Sequence, residues 1–300
     1  MGIAAALLAT TLLTTGSSGP LTDGSSGPLI HGASGSAIFN GRSIDIERTL
    51  DRLQQAHVTT YLYEIYAGHA QREWDELPTF LDEAAQRGIN VMAYLFPPDE
   101  ADGGYAPFGF DYEQWASQLS AVSLAHPALT GFVIDDFGEN MQVFTPTYAK
   151  RIAVAARSQN SNFQFWPIFY YRELVGKHAT FRKYNASDFN GVIFPFRDEP
   201  EYDTSVSNTA PAQIKAVRNV LQPYQHLAVM VYARHYSRQA NKGNPSPDYV
   251  GTVVQDALNL GASGYDDGVI VYDMNMSGQD DASSEAAAYD RVSYIYGTDA

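Results

Sequence analysis

Short apolar segments alternate along the chain with longer segments of helical spacing. Several of the short segments are almost continuously apolar, such as VMAYLF, GFVI, LAVMVY and VIVY, as is usual for parallel strands buried on both faces. The pattern predicts eight strands: Ala37–Asn40, Thr59–Tyr66, Asn90–Phe96, Gly131–Asp136, Gln164–Tyr170, Gly191–Phe196, Ala228–Arg234 and Val269–Asp273.

Helical segments separate the predicted strands, and several of them end near Gly or begin with Pro, as helices often do. The predicted helices are Ile44–Ala56, Arg72–Gly88, Tyr112–Ala125, Pro146–Ser158, Leu174–Tyr184, Pro211–Leu221, Pro247–Leu260 and Ser283–Tyr296. Eight strand–helix alternations predict an α/β fold, a single (β/α)8 TIM barrel. An open doubly wound sheet is the alternative, but its usual Gly-rich first turn is absent from FNGRS.

The first 30 residues differ in composition from the rest. Ile3–Leu13 is an apolar run too short to span a bilayer, and the hexapeptide GSSGPL follows twice. The repeat is typical of a flexible linker. The apolar run is similar to the hydrophobic region of a secretory signal, although no Lys or Arg precedes Arg42. We therefore expect a signal-like and linker segment at residues 1–30, a catalytic barrel at residues 31–300, and a secreted or periplasmic protein.

Composition narrows the possible partners. The formal net charge of -15 repels phosphate backbones and anionic lipid heads, so neither nucleic acid nor a membrane is expected as a partner. Cysteine is absent, and of the seven His only His235 falls at a predicted strand end, so no metal or other cofactor is expected. The 20 Tyr suit a carbohydrate, because each offers a flat apolar face and a hydroxyl. The sequence predicts no particular oligomeric state.

Two adjacent carboxylates end the fourth predicted strand. In barrels of this type the functional residues lie at the C-terminal ends of the strands, and LTGFVIDDFGEN places Asp135 and Asp136 there. Neighbouring carboxylates repel and burial raises the pKa of at least one, so that one can stay protonated near neutral pH. Successive strand residues face opposite ways, so both side chains can face the open end only if the strand ends at this pair. Gly138 is a position at which the chain can leave the strand. The alternative is that one Asp caps the next helix or binds an Arg.

The segment GFVIDDF resembles the Asp-Asp motif that ends strand four of O-GlcNAcase-type hexosaminidases. The resemblance implies that Asp135 orients the acetamido group of the substrate, whose oxygen attacks the anomeric carbon, and that Asp136 is the general acid/base. It covers this strand only, because AIFNG stands where that family has a Gly-Tyr-Gly signature on strand one. A broader likeness extends to other glycoside hydrolases built on this barrel.

Other strand ends supply further candidates. A glycosidase needs two carboxyl groups that flank the scissile bond, and two adjacent side chains could lie too close in line to do so. The candidates for the second carboxylate are Glu64, Asp198 or Glu199, and Asp273. The candidate substrate-binding residues are Asn40, Tyr66, Tyr170, Tyr171, Arg197, Tyr232, Arg234 and Tyr272. For the carboxylate Glu64 and for the two arginines, an ion pair with a neighbour is the alternative.

Alternation along the second strand gives a further prediction. Glu64 should share a face with Leu62 and Tyr66, whereas Tyr61 and Tyr63 should pack against the surrounding helices. Trp166 is expected in the core. Together the patterns favour a glycoside hydrolase that cleaves an oligo- or polysaccharide by carboxylate acid/base catalysis. The alternatives are a non-catalytic carbohydrate-binding barrel, and a carbohydrate-active lyase or transferase on the same scaffold.

Overall fold

The chain folds into a single (β/α)8 TIM barrel. The computed structural model describes residues 28–66, 68–100, 105–199, 203–234, 243–276 and 284–299. The barrel strands are β1 Ile30–Ser34, β2 Thr60–Ile65, β3 Asn90–Leu95, β4 Leu129–Ile134, β5 Gln164–Pro167, β6 Gly191–Phe196, β7 His226–Tyr232 and β8 Gly268–Tyr272. The helices are α1 Ile46–Gln55, α2 Ala70–Gln86, α3 Tyr112–Ala125, α4 Pro146–Arg157, α5 Tyr171–Leu174, α6 Ala210–Arg218, α7 Pro247–Gly261 and α8 Ser284–Asp299.

The strands follow one another around the barrel in chain order. The sheet order is β5-β4-β3-β2-β1-β8-β7-β6, and every pair of neighbours is parallel. A parallel bridge between Ile168 and Ile193 joins the two ends of this order. Because all strands run in one direction, the loops after them share one end of the barrel, which we call the mouth.

Alternate residues of each strand face the barrel axis, and the others face the helices. The interior cluster consists of Leu62, Met92, Tyr94, Phe96, Val133, Trp166, Ile168, Ile193, Ala228, Met230 and Ile270. Tyr61 and Tyr63 lie instead between strands and helices, with ring centroids 5.7 and 4.8 Å from that of Phe80. The predictions for Tyr61, Tyr63 and Trp166 are therefore confirmed.

Side-chain caps start several helices and so fix where the preceding loops end. Aspartate carboxylates cap α1 and α3, and Thr or Ser hydroxyls followed by Pro cap α4 and α7. The predicted helix Leu174–Tyr184 is wrong. The chain there forms the short α5 and the 3₁₀ turns Thr180–Lys183 and Ala186–Asp188, because Gly176 adopts a φ of 107° that no α-helix contains.

The first barrel strand is Ile30–Ser34, so the prediction of Ala37–Asn40 is wrong. IHGAS is buried along most of its length, and a Cβ at Gly32 would lie 2.6 Å from Ile270 Cγ1. A strand that must pass so close to its neighbour has small residues, and small residues give a weak apolar signal. Phe39–Asn40 pairs with Ser43–Ile44 in a hairpin outside the barrel, where Asn40 is exposed.

Some predictions fall outside the described residues. They include the signal-like run within residues 1–27 and the strand-end position of His235. The division at residue 30 and the extracellular location therefore stay predictions. Among the residues that the structure describes, no helix combines the length and the apolarity needed to cross a bilayer.

Candidate active site

Strand β4 brings two carboxylates to the mouth. Asp135 continues the inward face of Val133, is 7% exposed, and donates its N–H to the Leu95 carbonyl over 2.9 Å. Asp136 leaves the strand with a φ of 42°, a left-handed conformation that Asp tolerates better than most residues. The Asp136 N–H donates to Oδ1 of Asp135 over 2.8 Å. Both side chains thus leave one strand end as close neighbours.

Burial raises the pKa of both carboxyl groups of this pair. For Asp135, burial is the largest cause, and the charges of Asp136 and Glu100 raise its pKa further. For Asp136, burial is again the largest cause, but the Tyr170 hydrogen bond and the nearby Arg197 lower its pKa. The pair therefore holds a proton at a pH where isolated carboxyl groups are ionised, and Asp135 is the favoured site of that proton.

Tyr170 is fixed beside Asp136 by contacts on several sides. Its hydroxyl donates to Oδ1 of Asp136, and its N–H donates to Oε2 of Glu173 over 2.9 Å. The guanidinium carbon of Arg197 lies 3.6 Å from the Tyr170 ring centroid. Arg197 is itself buried and donates to Oε1 of Glu199 over 2.8 Å. Arg197 thus supports the tyrosine and places a positive charge near Asp136.

Gly138 makes room for the support of this tyrosine. A Cβ at position 138 would collide with the carboxyl group of Glu173 and lie 2.7 Å from the Phe169 ring. Glu173 is buried, and burial raises its pKa to about 8. The prediction that the chain leaves the strand at Gly138 is wrong. The chain turns away at Asp136, which has the left-handed backbone conformation. Gly138 instead allows close approach of α5.

Glu64 ends β2 two strands away from the aspartate pair. The hydroxyls of Ser34 and Ser36 donate to its two carboxylate oxygens over 3.1 and 3.0 Å. Burial raises the pKa of Glu64 to about 7, and the negative charge of Asp273 contributes. Glu64 continues the inward face of Leu62, as the alternation predicted. It is therefore a carboxyl group whose proton affinity suits acid/base chemistry near neutral pH.

Aromatic rings line the space between these carboxylates. The Tyr272 ring centroid lies 6.4 Å from that of Tyr94 and 5.3 Å from that of Tyr232. Burial raises the pKa of Tyr272, and the charges of Asp135 and Glu64 raise it further, which places this ring near both. Burial raises the pKa of the Tyr94 hydroxyl, and the charge of Asp135 raises it further, which places this fully buried ring beside that carboxyl group.

Two further predicted residues lie at the rim of the mouth. Arg234 is half exposed, with Nη1 3.7 Å from Oδ2 of Asp273 and Nε 3.5 Å from Oε1 of Glu285. Tyr66 is 45% exposed and meets Phe96 edge-on at 5.2 Å. Arg234 therefore forms ion pairs with Asp273 and Glu285, which is the alternative that the sequence leaves open for this arginine.

The structure does not bring three of the predicted residues to the centre of the site. Asn40 lies on the exposed hairpin after β1. Tyr171 packs against Phe194 at 6.1 Å on the helix side of β6. Asp198 has a φ of 51°, and its Oδ1 accepts the hydroxyl proton of Thr209 over 2.6 Å, just before α6. Tyr171 and Asp198 thus contact local partners, and Asn40 is exposed on the hairpin.

The sequence interpretation missed some residues that shape the site. Ser34 and Ser36 bind Glu64, but Ser34 lies in a segment that did not resemble a strand. Tyr94 stands inside VMAYLF two positions before Phe96, so strand alternation from the predicted strand end could have identified it. Glu173 follows Tyr170 by three residues, a spacing that fits a capping interaction. Within the described ranges, no three His, Cys, Asp or Glu side chains are placed to hold a metal ion.

Known proteins resemble the chain in structure but not in sequence. No family model and no curated protein sequence matches it. An exo-β-1,4-mannosidase from Opitutaceae bacterium strain TAV5 aligns at a TM-score of 0.54 with 10% identity, over 80% of this chain and 51% of the mannosidase. A GH18 chitinase from Pseudoalteromonas aurantia aligns at 0.57 with 10% identity, over 90% and 100%. A thermostable mutant of a xylanase from Cellvibrio japonicus aligns at 0.56 with 13% identity, over 90% and 98%.

These neighbours share the barrel fold with the chain. At sequence identities of 10–13%, the likeness shows the fold and nothing more. The chain spans about half the length of the mannosidase and nearly all of the chitinase and the xylanase. The resemblance of GFVIDDF to O-GlcNAcase-type hexosaminidases stays an inference from one strand. The shared architecture is thus a (β/α)8 barrel of the kind that glycoside hydrolases use.

Proposed function

We propose that the chain is a glycoside hydrolase that cleaves a glycosidic bond of an oligo- or polysaccharide at the mouth of the barrel. The observation that carries this proposal is the pair Asp135 and Asp136, two adjacent carboxyl groups at a strand end, both with a raised pKa. Neither forms an ion pair with a Lys or Arg of the described residues. Such a pair keeps one proton available for transfer while its second member stays an anion.

In the proposed reaction the aspartate pair is the acid. It donates its proton to the glycosidic oxygen as the bond to the anomeric carbon breaks. Asp135 holds this proton in the resting protein, and Asp136 stays ionised because Tyr170 and Arg197 stabilise its negative charge. The resemblance to hexosaminidases gives the acid role to Asp136, and proton sharing within the pair is compatible with that role.

Glu64 is the second carboxylate of the proposed reaction. Adjacent side chains cannot easily flank one bond, so the partner has to come from another strand. Among the candidates, Asp198 is bound to Thr209 and Asp273 faces Arg234, whereas the partners of Glu64 within the described ranges are two serine hydroxyls. Its pKa of about 7 lets it act as the base that activates water, or as the nucleophile at the anomeric carbon.

A hydrolysis screen tests the proposal. Wild-type protein and the variants Asp135→Asn, Asp136→Asn and Glu64→Gln are incubated with a panel of polysaccharides and aryl glycosides, and products are followed by reducing ends and mass spectrometry. We expect the wild type to release sugar and each variant to lose about 10²–10⁴-fold in kcat. Asp198→Asn is the matched comparison and should keep most of the turnover, because that side chain binds Thr209.

Other outcomes of the screen would contradict the proposal. Binding of a glycan without release of sugar would identify a carbohydrate-binding barrel. A product with a new C=C absorbance would identify a lyase. Full turnover by Asp135→Asn and Asp136→Asn would remove the aspartate pair from the mechanism.

A further inference from the structure

The main chain of Tyr66, just after β2, is held in the same way as that of Tyr170. The Tyr66 N–H donates to Oε2 of Glu73 over 2.6 Å, as the Tyr170 N–H donates to Oε2 of Glu173 over 2.9 Å. Each glutamate belongs to the first turn of the helix that follows the strand. Each is also buried, with 4% of Glu73 and 6% of Glu173 exposed. Two tyrosines that follow different strands of the mouth are therefore fixed by the same contact.

A buried carboxyl group is a costly acceptor for a main-chain N–H. Burial raises the pKa of Glu73 to about 8, and the charge of Glu64 contributes to this rise. At the equivalent position after β3, the Phe96 N–H donates to the Tyr105 hydroxyl over 3.2 Å, so a neutral side chain satisfies the same kind of strand end. A costly acceptor, where a neutral one is sufficient, indicates that the position of Tyr66 matters for function.

The side chain of Tyr66 continues the inward face of β2 beyond Glu64. It follows Glu64 by two residues, roughly 7 Å further along the strand direction. Its ring is perpendicular to that of Phe96 at 5.2 Å, and Phe96 in turn meets Tyr94 at 5.1 Å. Tyr94 and Phe96 are buried, whereas Tyr66 is 45% exposed. Tyr66 is thus the ring at which this series of aromatic contacts reaches solvent.

Tyr66 therefore offers a fixed and exposed aromatic surface at the rim of the mouth. Both polar groups of its main chain are bound, since its carbonyl accepts the His69 N–H over 2.8 Å. Tyrosine has few rotatable bonds, and a surface that is fixed before binding loses little conformational entropy when a ligand arrives. A ring face with a hydroxyl suits the C–H faces and the hydroxyl groups of a sugar.

We propose that Tyr66 stacks on a sugar next to the one that is cleaved, that the substrate is therefore a chain of several sugars, and that Glu73 positions this ring. The inference rests on the proposed function, because it adds a binding surface and a substrate length to the same site. The chain lies with the cleaved bond between the aspartate pair and Glu64 and continues outward over Tyr66. Tyr66 adds binding energy for the chain and takes no part in proton transfer.

Calorimetry with oligosaccharides tests the role of Tyr66. Hexamers of β-1,4-linked glucose, mannose, xylose and N-acetylglucosamine are titrated into the Asp135→Asn variant, which prevents turnover. At least one hexamer should bind, and the added change Tyr66→Ala should weaken its binding about 10-fold, the loss typical of one aromatic contact. Tyr66→Phe keeps the ring and should stay within about twofold of the parent. Tyr294→Ala is the matched control, because Tyr294 is 66% exposed on α8, and it should leave the affinity unchanged.

A second pair of variants tests the positioning role of Glu73. With a pKa of about 8, this carboxyl group holds its proton at neutral pH. Glu73→Gln keeps a neutral side chain with an acceptor oxygen and should keep the affinity for the hexamer. Glu73→Leu removes the acceptor and should weaken binding about 5-fold, the effect of one hydrogen bond. Equal affinity in both variants would overturn the role of Glu73. If Glu73→Leu does not fold, the Tyr66 variants still test the binding surface, because Tyr66 is exposed.

Kinetics with active protein give a readout that a purely structural role would not move. Without Asp135→Asn, Tyr66→Ala should raise KM for the hexamer about 10-fold and leave kcat within about twofold, as expected when binding is lost equally from the ground state and the transition state. A loss in kcat at unchanged KM would overturn the inference.

The remaining outcomes distinguish this inference from the proposed function. Unchanged affinity in Tyr66→Ala, or no binding of any hexamer, overturns the inference. Hydrolysis of oligosaccharides that Tyr66→Ala leaves unchanged overturns it too, but supports the proposed function. Hexamer binding that Tyr66→Ala weakens, without turnover of any glycoside by the wild type, supports the role of Tyr66 in binding and overturns the proposed function.

Discussion

The ionisable groups at the two ends of the barrel have different kinds of partner. At the N-terminal end, His226 Nδ1 lies 2.8 Å from Oδ1 of Asp267, and His31 Nε2 lies 3.0 Å from Oδ2 of Asp299. Each imidazole also stacks on a ring, His226 on Trp166 and His31 on Tyr296. At the mouth, Glu64, Asp135 and Asp136 accept hydrogen bonds from neutral donors and form no ion pair within the described residues, although Arg197 lies near Asp136. Groups with complementary partners stabilise a fold, whereas groups held with a raised pKa lower its stability and are available for chemistry.

A pocket alone does not make the N-terminal end an active site. A cavity of about 270 Å³ lies there among Gln164, Trp166, His226 and Asp267. Most of its polar side chains bind one another, as Trp166 Nε1 does with Gln164 Oε1 at 2.8 Å. Asp266 departs from this pattern, because burial raises its pKa to about 8 while it accepts the Gly268 N–H. That bond holds the start of β8, where Gly268 has a φ of 131°.

The same substitution at each end gives the largest expected contrast. Asp135→Asn should lower kcat about 10³-fold with little change in the free energy of unfolding, because it removes the proton donor but keeps an oxygen that can accept the Asp136 N–H. Asp267→Asn should keep kcat within about twofold but lose about 1 kcal/mol of stability, because Asn cannot accept from both His226 and the Leu227 N–H. Steady-state kinetics and urea unfolding measure both effects. Loss of turnover in Asp267→Asn would contradict the view that catalysis belongs to the mouth and that the paired groups of the N-terminal end stabilise the fold.

Glu64 should make the stability of the protein depend on pH. Its pKa rises from 4.5 to about 7 on folding, so the folded state binds this proton more tightly than the unfolded chain does. The stabilisation is present below about pH 4.5 and is lost as the pH rises through about 7. Between about pH 5 and pH 8, the wild type should lose about 2 kcal/mol more than Glu64→Gln does. In the same urea titrations, the stability of Glu47→Gln should depend on pH as that of the wild type does. If the stability of Glu64→Gln also follows the wild type, Glu64 is not the source of this pH dependence.

Tyr170→Phe should have the smallest effect, with a change in kcat/KM of less than about 10-fold. The lost hydroxyl lowers the pKa of Asp136, so its removal raises that pKa. The aspartate pair then keeps its proton to higher pH, and the alkaline limb of the pH profile of kcat/KM moves upward. Tyr171→Phe is the matched control, because that ring packs on Phe194 and should leave the limb in place. An unmoved limb in Tyr170→Phe would mean that this hydroxyl does not set the proton affinity of the pair.

Most of the barrel was predictable because its strands are apolar on both faces and its helices carry caps. Strands β2 to β8 all lie at or near their predicted positions, and α3 has the predicted bounds Tyr112–Ala125. Strand β1 was not predictable in this way, since Gly32 and Ala33 are small where the strand passes close to β8. The error also moved Asn40 to a strand end that the barrel does not contain.

The sequence was sufficient to predict which strand ends carry polar groups. It was not sufficient to predict where each of their side chains points. Asp136 and Asp198 both follow an apolar strand as the second residue, yet one accepts from Tyr170 and the other from Thr209. The difference depends on tertiary neighbours that no local pattern encodes. The support of Tyr170 by Glu173 likewise depends on Gly138, where the loop after β4 approaches α5, and spacing along the chain does not reveal this contact.

Three aspartates that follow strands β4, β6 and β8 have left-handed backbones, with φ of 42° at Asp136, 51° at Asp198 and 55° at Asp273. Asparagine fits this conformation at least as well as aspartate does. Neutral drift at these positions should therefore favour Asn, because the exchange suits the backbone and removes a repelling charge from an acidic end. If homologous sequences keep Asp at position 136 while position 198 varies between Asp and Asn, selection acts on the charge at the first position and on backbone shape at the second.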